Sequence, residues 1–273
     1  LDTRESGQLG KGNRSDTIII ASINNDTGEV RLASVFRDTY LDMTTGKFNK
    51  ANSAYSTGGP EQAIKMLNKN LDLTIEKYIS VDFAAMTDAV DLLGGIDIDV
   101  DETEIDHLNN YMVETSKVTG VASKPLTHTG LQTLDGVQAT SYCRIRYTAG
   151  DDFKRTERQR EVIQELVRKA KTMEISKIND IINAVFPKIA TNYSNKELLE
   201  MAPQMIGYDI ADTAGFPFDR ETGTISGRGS CVIPVNLAEN VRQLHEFLYE
   251  NYDYTPSSEV QKISEQITAD TGY

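Results

Sequence analysis

Two short apolar runs open the chain. DTIIIASINN, residues 16 to 25, has an unbroken apolar centre between polar ends, the pattern of a buried strand, and EVRLASVFRDTYL, residues 29 to 41, reads as a second strand. The DTG between them is a turn signal, so the pair is expected to form a hairpin. From Pro60 the period changes: in PEQAIKMLNKNLDL, Ala63, Ile64, Leu67 and Leu71 recur at helical spacing behind a Pro-Glu start that suits a first helical turn. EKYISVDF then predicts a strand, and DFAAMTDAVDLLGG a helix closed by Gly94 and Gly95.

In GGIDIDVDE, Asp97, Asp99 and Asp101 mimic the start of a calcium loop, but no Gly follows at the sixth loop position. Ile96, Ile98 and Val100 alternate with the acids as in a half-buried strand. After a polar loop, GLQTLDGVQATSYCRIRYT predicts a short helix and then a strand, and TERQREVIQELVRKAKTM a helix with an apolar stripe of Val162, Ile163, Leu166, Val167 and Ala170. Helical NKELLEMAPQM, a Gly-rich turn, a strand at SCVIPV and the helix NLAENVRQLHEFLYENY follow. Alternating strands and helices predict an α/β fold, a three-layer α/β/α arrangement with a central mixed sheet flanked by helices. The expected organisation is a single domain over residues 1–255, its core at 1–172 with 173–255 packing on it, and a frayed polar tail at 256–273.

Charge changes this picture at one place. The formal net charge is -13, yet residues 141–160, SYCRIRYTAGDDFKRTERQR, carry six basic side chains against three carboxylates. Such a reversal points to a local anionic ligand. Nucleic acid is excluded as a partner, because a groove for it would make the whole domain basic or interleave aromatic residues with the cations. No run approaches the roughly 18 apolar residues of a membrane span, and the chain starts at LDTR without Met, so a membrane anchor ahead of it is compatible with the sequence. Cys143 and Cys231 are the only cysteines, two buried thiols in a reducing compartment or one bridge in an oxidising one.

With His107, His128 and His245 alone, and no HExxH, GxSxG, GxGxxG or GxxxxGK[ST], the usual zinc, serine and nucleotide sites are missing. What remains is Arg and Asp. A strand over SYCRIRYT would set Arg144 and Arg146 on one face. Arg155 and Arg158 fall at the start of the next helix, where free N–H groups and the dipole favour an anion, and Gln159 adds a neutral donor. Arginine suits phosphate because its planar fork binds two oxygens at once. Lys154 and Arg160 read as surface charges. Transfer of a phosphoryl group also calls for a metal or an acid, for which Asp2 and Asp16 offer carboxylates.

Taken in order, LDTR, RSDTIIIASIN, SVFRDTYL, KFNKANSAYSTGGPEQAI, GGIDIDV, LDGVQATSYCRIRYT and DDFKRTERQREVI resemble the LytR-CpsA-Psr family, enzymes that attach phosphate-linked glycopolymers to the bacterial cell wall. The resemblance covers residues 1 to about 172 and implies a hydrophobic cleft for a polyprenyl chain. It further implies a phosphotransferase that moves a glycan, teichoic acid or capsule, from an undecaprenyl-pyrophosphate carrier to a peptidoglycan acceptor with magnesium (Mg2+). By the same resemblance Asp2 and Asp16 hold the metal, Arg4, Arg14, Arg37, Arg144, Arg146, Arg155 and Arg158 match positions that hold the pyrophosphate, and Asp152 and Gln159 match the polar residues beside them. Phe36 departs from the Pro usual before the Arg-Asp pair, and Asp38 is expected to orient Arg37. The implied location is the extracellular face of the cytoplasmic membrane, with a single N-terminal anchor outside this sequence. There a Cys143–Cys231 disulfide is expected. Two other functions use the same residues: a non-catalytic module binding polyprenyl phosphate or anionic glycan, and a lipid pyrophosphatase.

Overall fold

The structure is a computed structural model that describes residues 7, 9, 10, 12–146, 148 and 150–273, Asp151 by its backbone alone. In chain order, strands β1 (Ile19–Ile23), β2 (Glu29–Val35), β3 (Tyr40–Asp42) and β4 (Phe48–Lys50) precede helix α1 (Asn52–Leu71). Next come β5 (Ile79–Ser80), α2 (Phe83–Leu92), β6 (Ile96–Val100), α3 (Ile105–Thr119) and β7 (Gly130–Leu134). Helices α4 (Gly136–Tyr142), α5 (Asp151–Lys171) and α6 (Ile175–Val185) follow, then β8 (Ala190–Thr191) and α7 (Asn195–Met205). Strands β9 (Asp209–Phe216), β10 (Arg220–Ile225) and β11 (Gly229–Pro234) lead to helices α8 (Leu237–Tyr249) and α9 (Ser258–Thr271). The fold is mixed α/β, as expected. Strand β2 pairs antiparallel with β1 and parallel with β9, giving a mixed sheet, while the other described strands pair two by two.

The chain divides into two compact units, Gly10–Tyr78 with Asp209–Tyr273, and Ile79–Tyr208 with the described residues ahead of Gly10. This differs from a single domain with its core at 1–172. The reason is the β2–β9 ladder, which sets Leu32 beside Thr213 and Ala33 beside Ala214 and so builds one unit from both halves of the chain.

In this sheet unit the β1–β2 hairpin closes through Asn24. Its carbonyl accepts from Gly28 N–H at 2.8 Å, and its side-chain oxygen accepts from the N–H groups of Asp26 and Thr27. Strand β2 ends at Val35, short of the Leu41 expected from sequence. Phe36 turns the chain: its N–H donates to the Phe216 carbonyl at 3.0 Å and its carbonyl accepts from Thr39 N–H at 2.9 Å. A proline at 36 could not make the first bond. The Phe36 ring lies against Gly215, where an added Cβ would meet Cζ at 2.6 Å. Ile20, Ala33, Val35 and Phe216 share a core with Met66, Leu67 and Leu71 of α1 and Val241 and Leu244 of α8, each such side chain contributing about 1.5–3 kcal/mol by burial.

The expected polar tail is a helix. Ser257 Oγ accepts from Val260 N–H to cap α9, and Val260, Ile263 and Ile267, spaced along one face, are buried in that core. Asp72, the left-handed cap of α1, fastens the approach to it, accepting from Tyr254 Oη, Ser257 N–H and Ser257 Oγ. Three apolar residues among polar ones were too few to reveal this helix in the sequence.

In the helical unit, Ile96, Ile98 and Val100 of β6 are buried, and Asp97 accepts from Thr133 Oγ1 at 2.7 Å and pairs with Arg168 at 3.0 Å. The segment read as a polar loop is helix α3, whose inner face is Leu108, Met112 and Thr115. Among the described residues the expected strand over SYCRIRYT is also absent. A capping box of Asp135 and Gln138 starts α4, which runs to Tyr142, with Cys143 as its C-cap. An irregular turn follows, Arg144 N–H donating to Ser141 O and Thr148 N–H to Arg146 O. The apolar alternation that suggested a strand reflects Ile145, fully buried as the anchor of this turn.

Candidate functional site

The turn after α4 and the first turns of α5 gather most of the arginines expected at the site. Arg158 is 2% exposed and its donors are spent inside the protein. Its Nε donates to Glu104 Oε1 at 2.7 Å, Nη1 to Ile145 O at 3.2 Å and Nη2 to Thr148 Oγ1 at 2.8 Å. Arg158 therefore clamps the 144–148 turn to α5 and to the start of α3. It positions the site rather than offering itself to a ligand.

Asp152 links two further arginines. Its Oδ2 accepts from Arg155 Nη2 at 3.0 Å, while its Oδ1 lies 3.7 Å from Arg146 Nε. Arg155 is buried and Arg146 keeps about a third of its side chain open. Arg144 lies between aromatic rings, its guanidinium carbon 4.6 Å from the Phe83 centroid and 5.1 Å from that of Tyr111. Its Nη1 donates to Thr115 Oγ1 at 2.9 Å and its Nη2 to Glu114 Oε2 at 2.5 Å, so this cation is held in place before any ligand arrives. Gln159 donates from Nε2 to the Cys143 carbonyl at 3.2 Å, leaving Oε1 buried without a hydrogen-bond partner.

Glu104, Glu114, Phe83, Tyr111 and Thr115 were not legible as site residues, because each meets its arginine only through long-range folding. Lys154 is exposed and paired with Glu157, as a surface charge should be. Arg160 is not a surface charge, being 8% exposed.

In the sheet unit, the Phe36 turn presents Arg37 and Asp38. Arg37 Nη1 is ion-paired with Asp16 Oδ1, its Nε lies 3.5 Å from Asp38 Oδ2, and Lys50 Nζ lies 3.2 Å from Asp38 Oδ1. Asp38 is thus an ion-pair neighbour of Arg37, and Lys50 joins the group unforeseen. Arg14 is exposed and makes no side-chain hydrogen bond or ion pair among the described residues. Asp2 and Arg4 lie outside the described residues.

The donor set around Asp16 bears on magnesium. No three His, Cys, Asp or Glu side chains converge among the described residues. A hard ion of this kind is commonly bound by one or two carboxylates, with waters and substrate phosphates completing six ligands. Asp16 fits that substrate-dependent mode and not a preformed protein cage.

The expected disulfide is not formed; Cys143 and Cys231 are both free thiols. Burial, aided by the Glu161 charge, pushes the Cys143 thiol up to about 12, and Cys231, 1% exposed in β11, is also raised by burial. Both are therefore packing thiols rather than nucleophiles. Burial likewise raises the Glu161 carboxyl, which accepts from Tyr142 Oη at 2.9 Å.

The LytR_cpsA_psr family matches residues 1–229. The chain belongs to that family. As a LytR_cpsA_psr member it is 32% identical over 205 residues to the polyisoprenyl-teichoic acid–peptidoglycan teichoic acid transferase TagU of Enterococcus faecalis, an overlap of 74% of this chain and 62% of TagU. It is 28% identical over 268 residues to the corresponding transferase TagV of Bacillus subtilis, covering 94% of this chain and 64% of TagV. The chain therefore spans somewhat under two thirds of the length of these relatives. The crystal structure of B. subtilis TagV superimposes with a TM-score of 0.70 at 26% identity, over 89% of this chain and 91% of that one.

Proposed function

We propose that this LytR_cpsA_psr chain transfers a phosphate-linked glycopolymer from a polyprenyl-pyrophosphate carrier to a peptidoglycan hydroxyl. The observation that carries the reading is the arginine group at the start of α5, in which buried arginines have their own carboxylates while Arg146 is partly open. The relatives TagU and TagV, both teichoic acid transferases, support the same reaction.

In that reaction the acceptor hydroxyl oxygen bonds to the glycan-side phosphorus, the bond from that phosphorus to the bridging oxygen breaks, and the lipid monophosphate leaves. The hydroxyl proton passes to a base. Charge builds on the non-bridging and leaving oxygens, and guanidinium groups fixed beforehand stabilise it without reorganising. Arg144, held between Phe83 and Tyr111, and Arg146, steadied by Asp152, are the groups suited to this task. Arg158 and Glu104 keep their turn in place. In the sheet unit, Arg37, fixed by Asp16 and Asp38, is a further cation of the kind that suits a phosphate oxygen. Magnesium, with Asp16 as the described carboxylate to hold it, would supply Lewis-acid neutralisation of phosphate oxygens.

No described helix is long and apolar enough to cross a membrane. The proposed site of action is the outer face of the cytoplasmic membrane, reached through an anchor beyond this sequence, because carrier and acceptor meet there. The test incubates the purified protein and magnesium with a polyprenyl-pyrophosphate glycan and peptidoglycan fragments. Linked product that is lost in Arg146→Ala and Asp16→Asn supports transfer. Tight carrier binding without turnover establishes a binding module instead, and release of free phosphoglycan to water a pyrophosphatase.

A further inference from the structure

Arg160 stands apart from the other arginines of α5. It is 8% exposed, its Nε is buried without a hydrogen-bond partner, and its side chain makes one long contact, Nη1 to Thr156 Oγ1 at 3.5 Å. Arg155 and Arg158, buried on the same helix, face Asp152 and Glu104. The carboxylate nearest in sequence, Glu157, is taken by Lys154 at 2.8 Å. Burial lowers the Arg160 pKa, opposed by the Glu157 charge alone, and a guanidinium stays protonated in proteins all the same.

A buried cation without an ion-pair partner is expensive, and an anionic ligand would relieve that cost. Helical side chains lean toward the helix N-terminus. The contact with Thr156, one turn back, shows that Arg160 does so, which aims its guanidinium along α5 toward the turns of Asp152 and Arg155. There the helix begins on Gly150, at φ +91° and without a side-chain cap, so its first N–H groups and dipole also favour negative charge.

We propose that Arg160 is a further anion-binding residue, making a direct guanidinium contact to a phosphate group of the polyprenyl-pyrophosphate substrate, an assignment that rests on the transferase reading above. It separates stability from binding. Without ligand Arg160 opposes folding, so an apolar side chain of similar length should leave stability unchanged or raise it while binding falls. A purely structural arginine would lose both together.

The experiment uses the chain as described with inorganic pyrophosphate as the probe, comparing wild type with Arg160→Met and Arg160→Lys by calorimetric titration and by melting with and without the anion. The expected result is that Arg160→Met melts no lower than wild type without ligand, binds pyrophosphate about tenfold or more weakly and loses most of the pyrophosphate-induced rise in melting temperature. Arg160→Lys, which keeps the charge, retains part of both and carries the comparison should the Met variant fail to fold. Wild-type affinity in Arg160→Met, or no pyrophosphate binding by the wild type, overturns the assignment. A wild type that binds pyrophosphate through Arg160 yet transfers no polymer upholds the assignment and refutes the transferase reading.

Discussion

Replacing Arg158 by Met leaves the Glu104 carboxylate, itself 3% exposed, without its cation. The same change removes the bonds to Ile145 O and Thr148 Oγ1. Three bonds from a charged donor at about 1.5–3 kcal/mol each would sum to about 4.5–9 kcal/mol, comparable with the whole stability of many domains, but water can enter and Glu104 can take up a proton. The expected cost is therefore that of a broken buried pair, about 3–5 kcal/mol, or a melting temperature lower by roughly 6–15 °C for a chain of this size. Adding Glu104→Leu removes the stranded charge, so the double variant should recover about 2 kcal/mol or more relative to the sum of the singles. Urea unfolding followed by circular dichroism on wild type, both singles and the double gives this coupling directly, provided the m-values agree. Singles that each cost under about 1 kcal/mol and add without coupling would refute the clamp. Arg158→Met should also weaken pyrophosphate binding, through a displaced turn, and here stability and binding fall together.

Gly215→Ala should cost about 1–3 kcal/mol, because its Cβ would meet the rigid Phe36 ring at 2.6 Å and the packed ring has little room to give; thermal denaturation reads this, and an unchanged midpoint would count against the packing described. His245, 6% exposed, stacks on Tyr254 and is hydrogen-bonded to Leu71 O, and desolvation depresses its pKa below 6.5. Its contribution to stability is present above pH 6.5 and lost as pH falls through the depressed folded value, so the urea midpoint should drop from pH 7.5 to pH 5.5 by more in wild type than in His245→Gln. Equal slopes would rule this out. Mass spectrometry of unreduced protein should show two free thiols that resist Ellman's reagent until urea is added, whereas the mass of a bridged chain would contradict the structure.

The sequence conveyed periodic elements and lost those whose apolar positions were sparse. Val162 and Leu166 announced α5, and the Ile-rich run announced β1. Leu108 and Met112 were too isolated to announce α3, as were Val260, Ile263 and Ile267 for α9. At the site, the identity of the arginines was legible and their burial was not. A charged residue on a helix reads as solvated, yet Arg155, Arg158 and Arg160 are all inside, Arg158 meeting Glu104 ahead of α3 and the turn of Ile145 and Thr148. Glu104 pairs with Arg158 across 54 residues, a relationship that no local pattern encodes. Arg144 and Arg146 were put on a strand because alternation around Ile145 imitates one.

Asp152 touches both Arg146 and Arg155. Arg155 is buried, whereas Arg146 keeps about a third of its side chain open. One acidic side chain shared between an inner and an outer cation thus ties the placement of the open arginine to the packing of the helix, so that substituting Asp152 would loosen both at once.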